Sequence, residues 1–188
     1  ADAGAHVSLA VPIEMHMRHG QPPIQKALDL GMTVSLSSDV ECTMSADFFT
    51  QMRALLTLQR MHCNDAALAG AEDFPPLMRC IDAIKHATIE GAKGLRLDQK
   101  TGSLTPGKDA DIILLDAEAI NVAPLNNVPG AIVTLMDRTN VDTVMVAGNI
   151  RKWKGNLLGH DLDKLRRDLE ASRDYIFEKA EVQHDLFA

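Results

Sequence analysis

Short apolar runs separated by turn residues fill the first hundred positions. His6 to Ala10 (HVSLA) reads as a short buried strand. The stretch from Pro12 to Pro23 is turn-rich and holds two His, one Arg, one Glu and two Met. Ile24 to Leu30 has the pattern of a short helix, and Gly31 suits the left-handed residue that ends one. Met32 to Ser37 (MTVSLS) reads as a second strand with Val34 and Leu36 on one face. Strand, loop, helix, strand is the grammar of a parallel sheet.

After Asp39, the loop Val40 to Ser45 leads into a longer helix. Ser45 is the expected N-cap, with Asp47 in the first turn, where the helix dipole favours a carboxylate. Phe48, Met52, Leu55, Leu56 and Met61 recur at helical spacing. Phe74-Pro75-Pro76 breaks the chain, and one further helix is predicted from Leu77 to Leu95, with Ile81, Ile84, Thr88 and Ala92 on a stripe and Gly94 near its end. The character changes at Thr101. Turn residues give way to a strand, Ile112 to Leu115, then to Val141–Val146, a Gly148-Asn149 turn and Ile150–Trp153, which together predict a hairpin. Asp161 to about Val182 reads as a charged helix with Leu162, Leu165, Leu169 and Ile176 turned toward something apolar. Three units follow: residues 1–97, α/β; 98–160, a small β portion; 161–188, a terminal helix.

Composition narrows the function. Of 188 residues, 46% are apolar and 24% charged, the balance of a folded globular chain. A net charge of −7 speaks against a general nucleic-acid backbone binder. No apolar run approaches the ~20 residues of a membrane-spanning helix. Cys42, Cys63 and Cys80 form no CxxC, so neither a disulfide framework nor a zinc ribbon is supported, and a reducing cytoplasm is expected. A complete (β/α)8 barrel needs about 250 residues. The α/β portion is therefore either a small open domain or the end of a larger barrel.

Candidate chemistry gathers after the two strands. Asp39 follows the end of a buried parallel strand, where barrel enzymes place catalytic groups. A carboxylate there can bind a divalent metal and carry a proton, or it can simply cap a loop; spacing leaves both readings open. Glu14, His16 and His19 lie on the loop after the first strand and are candidates for lining a substrate pocket, against the alternative of solvated loop residues. They are not a self-contained zinc site, because their spacing on a turn fixes no tetrahedral geometry. Structural roles are expected for His6, His62, Cys63 and His86. Cys42 lies close to Asp39 but has no activating base in sight.

Four segments resemble one superfamily in the right order. Gly31-Met-Thr-Val-Ser-Leu-Ser-Ser-Asp39 with Asp47-Phe-Phe-Thr-Gln-Met-Arg53 resembles the last barrel strand of the amidohydrolases and the helix after it. The similarity is to the branch of cytosine deaminase, guanine deaminase and the triazine chlorohydrolases. Ala87-Thr-Ile-Glu-Gly-Ala-Lys-Gly-Leu95 is similar to that branch's A-T-x-x-G-A-x-x-L helix. Thr101-Gly-Ser-Leu-Thr-Pro-Gly-Lys-Asp-Ala-Asp-Ile-Ile-Leu-Leu-Asp116 resembles its entry into a small β-domain, and Val141-Asp-Thr-Val-Met-Val-Ala-Gly148 its late hairpin. The family's H-x-H has no counterpart here, the resembling segment begins at the family's seventh strand, and Ser37 stands where Gly is usual.

The resemblance implies the C-terminal part of a (β/α)8 metal-dependent hydrolase barrel with a small β-sandwich-like portion. It implies hydrolysis of a C–N bond, a deamination, in a small heterocyclic substrate. It makes Asp39 a metal ligand and proton carrier for one divalent metal, Zn or Fe, in a complete enzyme; this chain alone is expected to be inactive and to hold no metal tightly. The expected partners are a small-molecule substrate and, through exposed sheet edges, further copies of the chain; nucleic acid and membrane are not expected. Two other readings remain at this point: a non-catalytic relative that keeps the fold for binding or assembly, and an independent α/β module without metal.

Overall fold

The computed structural model describes residues 2–183; residue 1 and residues 184–188, which belong to the first and last expected units, lie outside the described residues. The order of elements is β1 (Val7–Leu9), α1 (Val11–His16), α2 (Ile24–Asp29), β2 (Val34–Leu36), α3 (Phe48–Leu68), α4 (Cys80–His86), α5 (Ile89–Gly94), β3 (Ile112–Leu115), α6 (Val128–Thr134), β4 (Val141–Val146), β5 (Asn149–Trp153), β6 (Asn156–Leu157) and α7 (Leu162–Ala180).

β1 and β2 pair in parallel, with Val7 opposite Val34 and Leu9 opposite Leu36. All three β2 residues are buried, Ser35 included, so both faces of that strand are covered. Helices do the covering. Leu9, Val11, Ile24, Val34, Leu55 and Leu56 form one apolar cluster with Phe49 and Met52. α2 ends as the sequence suggests: Gly31 is left-handed (φ 65°), and Gly31 N–H and Met32 N–H satisfy the Leu28 and Ala27 carbonyls.

Three expectations are corrected locally. Part of the turn-rich Pro12–Pro23 stretch is helix, because a proline in the first helical turn removes an N–H that would be unpaired anyway. The N-cap of α3 is Asp47, not Ser45; the Asp47 carboxylate accepts from Thr50 N–H and Thr50 O–H, both at 2.8 Å, and the Ser45 hydroxyl donates to it as well. The single helix expected over Leu77–Leu95 is two, α4 and α5. Thr88 separates them at φ −131°, ψ −96°, and its hydroxyl takes the Ile84 carbonyl at 2.7 Å.

α3 is the hub. Its buried Gln59 donates to Gln25 Oε1, Cys63 Sγ and the Pro76 carbonyl and accepts from Met78 N–H, which clamps the loop before α4. Arg53 donates to the Val133 and Met136 carbonyls, at 3.2 and 2.7 Å, which pins the end of α6. Through Ala131, Val133 and Met136, α6 joins the core of the α/β region although it lies between two strands of the other sheet.

That second sheet is antiparallel, in the order β3-β4-β5-β6. The described residues contain one layer of it, not two facing layers. Two tight hairpins set its register. Ala147–Gly148 (φ 46° and 79°) and Lys154–Gly155 (φ 47° and 80°) are both left-handed pairs, the backbone of a type I′ turn. The first lies one residue before the expected Gly148-Asn149. Asp111 ties the loop ahead of β3 to that turn by accepting from Ala147 N–H and Thr101 O–H, both at 2.7 Å. α7 begins at Asp161, whose carboxylate caps Lys164 N–H, and none of its residues is buried.

Candidate active site

Parallel pairing decides where the candidate residues gather. β1 and β2 point the same way, and the ladder runs on past β2, since Ser37 N–H donates to the Leu9 carbonyl at 2.9 Å. Both chains therefore leave the sheet at the same end, one into α1 and the other into Ser37-Ser38-Asp39. This is the C-terminal end of the strands, where open and barrel α/β folds build their sites.

Asp39 sits in a tight turn there. Its φ is 58°, a left-handed conformation that Asp tolerates better than most residues. Val40 N–H closes the turn on the Ser38 carbonyl at 2.8 Å, and Asp39 N–H donates to Ser37 Oγ at 3.2 Å. Ser37 is thus a positioning residue for Asp39, and its place in the Ser-Ser-Asp run is the signal for it. The Asp39 side chain is exposed and makes no ion pair or hydrogen bond among the described residues. Arg53, the cation that could have paired with it, is committed to α6. The carboxylate remains open to an external cation or a proton.

The three candidates that follow β1, Glu14 and His16 in α1 and His19 beyond it, have different fates. Glu14 Oε1 accepts from Ala10 N–H at 2.8 Å, so it holds the start of its own helix. His16 ends α1 and His19 follows it; both are exposed and make no side-chain hydrogen bond among the described residues. Arg18 at φ 57° forms the cap between them, with His19 N–H on the Glu14 carbonyl at 3.0 Å. That cap fixes the backbone from which both imidazoles project.

His86 and His6 are engaged within the fold. His86 Nδ1 bonds the Val34 carbonyl at 2.9 Å, at the opposite end of β2 from Asp39. His6 packs its ring on α5, so closely that a Cβ at Gly94 would lie 2.7 Å from His6 Cδ2. Cys63 is buried beside Gln59, and Cys42 is exposed. The large open cavity, about 940 Å³, lies between α2, the 73–79 loop and α4, and Asp39 does not line it.

Zinc commonly takes three protein ligands plus water in a catalytic site. Among the described residues, no three His, Cys, Asp or Glu side chains come together to hold a metal ion. The described residues therefore do not fit a tight metal site by themselves; Asp39 would offer one carboxylate to a shared one.

A family model described as the amidohydrolase family matches residues 3–151. The chain belongs to the amidohydrolase family. Over 149 residues it is 31% identical to a 5-methylthioadenosine/S-adenosylhomocysteine deaminase of Teredinibacter turnerae, an alignment covering 79% of this chain and 32% of that protein. Over 158 residues it is 29% identical to a 5'-deoxyadenosine deaminase of Methanothermobacter thermautotrophicus, covering 84% and 34%. A zinc-bound adenosine deaminase from Xanthomonas campestris superposes with a TM-score of 0.81 at 22% identity, over 91% of this chain and 37% of the other. A zinc complex of atrazine chlorohydrolase from Arthrobacter aurescens gives 0.77 at 18%, over 90% and 36%. The chain spans about a third of the length of the relatives it matches. The amidohydrolase match takes in Asp39 and ends within β5, before α7. The fold resemblance agrees with the partial barrel expected from sequence, seen here as two βα units followed by a small antiparallel sheet.

Proposed function

We propose that the chain forms part of a hydrolytic deaminase that converts the exocyclic amine of an adenine-type nucleoside to a carbonyl, with Asp39 as a metal ligand and proton carrier. The observation that carries this is the exposed, unpaired Asp39 carboxylate at the C-terminal end of two parallel strands, in a chain whose relatives include several adenine-nucleoside deaminases. Water adds to the ring carbon that bears the amine, and ammonia leaves. A divalent metal, zinc in preference to iron, supplies acidification of that water when bound. Asp39 accepts one proton from the attacking water and returns it to the departing amine, while the other water proton ends on the ring nitrogen beside the new carbonyl, so the proton count closes. Ser37 Oγ holds the turn that presents it. His16 and His19, on the neighbouring cap, form a wall for the substrate. Glu14 belongs to that wall through its backbone and the helix it stabilises. The remaining metal ligands come from outside the described residues. Unpaired Cys42, Cys63 and Cys80 suit a reducing, cytoplasmic setting.

The test uses the polypeptide extended upstream in its reading frame and loaded with zinc. Ammonia release from 5'-deoxyadenosine should be measurable. Asp39→Asn should lower kcat by about 10²- to 10⁴-fold, the usual weight of a positioned acid–base group. Turnover by Asp39→Asn at the wild-type rate would remove Asp39 from the chemistry.

A further inference from the structure

α6 belongs to two units at once. In the chain it lies between β3 and β4, yet Ala131, Val133 and Met136 are buried with Phe49, Met52 and Leu55 of α3. The last carbonyls of a helix have no partner within it. At the end of α6 the Val133 and Met136 carbonyls are both taken by Arg53, from Nε at 3.2 Å and from Nη2 at 2.7 Å. A planar guanidinium holds two carbonyls in one fixed geometry, which a flexible ammonium does not.

The turn after α6 is fixed as well. Asp137 caps the short turn Arg138–Asn140. The Asn140 side chain is buried; it donates to the Asp116 carbonyl and accepts from Asp137 N–H and Asn121 Nδ2. Asp116 follows β3 and Asn140 precedes β4, so this knot joins α6 to the antiparallel sheet. The start of α3 lies beside it. Hydrogen bonds from Thr139 hold the Asp137 carboxyl below its usual range, and it also feels the nearby charges of Asp47 and Arg53. Asp47 is the N-cap of α3 and the end of the loop that begins at Asp39. Ser37 fixes the near end of that loop. Residues 41–44 make no hydrogen bond among the described residues, so within this chain the loop is held by its two ends.

We propose that Arg53 is a positioning residue for Asp39. By locking the start of α3 to the end of α6, it fixes the far anchor of the loop that presents the carboxylate, and it makes the small antiparallel unit part of the support of the site. The effect on turnover rests on the catalytic reading of Asp39; the effect on the loop does not.

Two substitutions separate positioning from plain stability. Arg53→Gln removes the fork between α6 and α3. Asn127→Ala removes the cap at the other end of α6, where Asn127 Oδ1 accepts from Gly130 N–H at 2.7 Å, and leaves the fork in place. Amide spectra of the 188-residue chain read the loop. Arg53→Gln should shift the resonances of residues 39–47 and accelerate their hydrogen exchange; Asn127→Ala should confine its changes to α6. Turnover of 5'-deoxyadenosine is read in the zinc-loaded polypeptide extended upstream, at a temperature where circular dichroism shows each variant folded. Arg53→Gln should lower kcat by about tenfold or more and leave KM nearly unchanged, because the wall on α1 stays in place. Asn127→Ala should leave kcat nearly unchanged. Arg53→Lys keeps a cation at the end of α6 without the fork; it should fold and still lose kcat. Arg53 borders an open cavity of about 350 Å³ with Met15, Thr50 and Met61, so added guanidinium should enter the gap left by Arg53→Ala and restore part of kcat. Loop amides unmoved by both Arg53→Gln and Arg53→Lys, or equal losses of kcat in Arg53→Gln and Asn127→Ala, would overturn the inference. Loop amides that move while the extended wild type releases no ammonia would support the anchoring of the loop and overturn the catalytic reading of Asp39.

Discussion

The two sheets of this molecule are held in opposite ways. In the α/β region the strands are only three residues long, and helices bury all of β2 and Leu9 of β1; Val11, Ile24, Val34 and Leu55 are fully enclosed. In the antiparallel sheet the strands are stitched by two type I′ hairpins and by Asp111, yet Ile113, Leu114, Val146, Ile150, Trp153 and Leu157 remain 40–53% exposed. Burial specifies the first region, and turn chemistry with ladder hydrogen bonds specifies the second. A parallel pair has no short connection to set its register, so packing must do so. A hairpin carries its register in two residues.

Core truncation should separate the regions most. Leu55→Ala is expected to cost about 3 kcal/mol, the transfer and cavity terms of a fully buried leucine. Ile113→Ala, on the half-exposed sheet, should cost less than about 1 kcal/mol. Urea unfolding midpoints check both. Equal losses would mean that the antiparallel sheet is as dependent on its faces as the core is.

Turn strain should show the reverse dependence. At Gly148 (φ 79°) a side chain would meet open space, so Gly148→Val tests conformation alone. A loss of about 1 kcal/mol is expected, with amide hydrogen exchange accelerating in β4 and β5 and unchanged in α3. Acceleration spread evenly over both regions would contradict the division.

The pattern of apolar positions located every strand of the α/β region and β3, β4 and β5, because strand-length apolar runs bounded by Gly and Pro have few other solutions. It placed Asp39 at a strand end and Gly31 at a helix end. It did not find α1, since Pro12 is a turn signal unless Glu14 is seen to cap Ala10 N–H. It did not find α6, although Asn127 ahead of Val128-Pro129 is an N-cap signature; Asn127 Oδ1 accepts from Gly130 N–H at 2.7 Å. The short β6 was missed although Lys154-Gly155 is a hairpin dipeptide. The break at Thr88 was invisible because the apolar stripe runs through it. Of the site, the sequence supplied residue identities. What it withheld is that Glu14 is engaged on the backbone, that Ser37 props the Asp39 turn, and that Arg53 is committed elsewhere.

The smallest expected effect is electrostatic. Partial burial of Asp47 works against its ionisation, but hydrogen bonds from Ser45, Thr50 and Phe49 outweigh it and hold the carboxyl below its usual range. A carboxyl depressed in the folded state contributes stability that is whole above its unfolded pKa and lost as pH falls through its folded one. The contribution should persist from neutral pH to about pH 4 and fade below that. Asp47→Asn keeps a capping oxygen and removes the titration, so the acid limb of the unfolding midpoint against pH should flatten. An unchanged limb would assign the acid sensitivity to other carboxylates, among them Asp111, which hydrogen bonds from the Thr101 hydroxyl and Ala147 N–H also hold low.

The central claim, that the rim of the parallel pair presents Asp39 as one ligand of a shared metal site, is tested most directly by metal content after exhaustive dialysis. The 188-residue chain should retain no stoichiometric zinc, because a lone carboxylate leaves the other coordination positions unheld. The polypeptide extended upstream should retain about one zinc per chain, as a single catalytic site requires, and Asp39→Ala should abolish that retention. Stoichiometric zinc on the short chain, or full retention by the extended Asp39→Ala variant, would contradict the account.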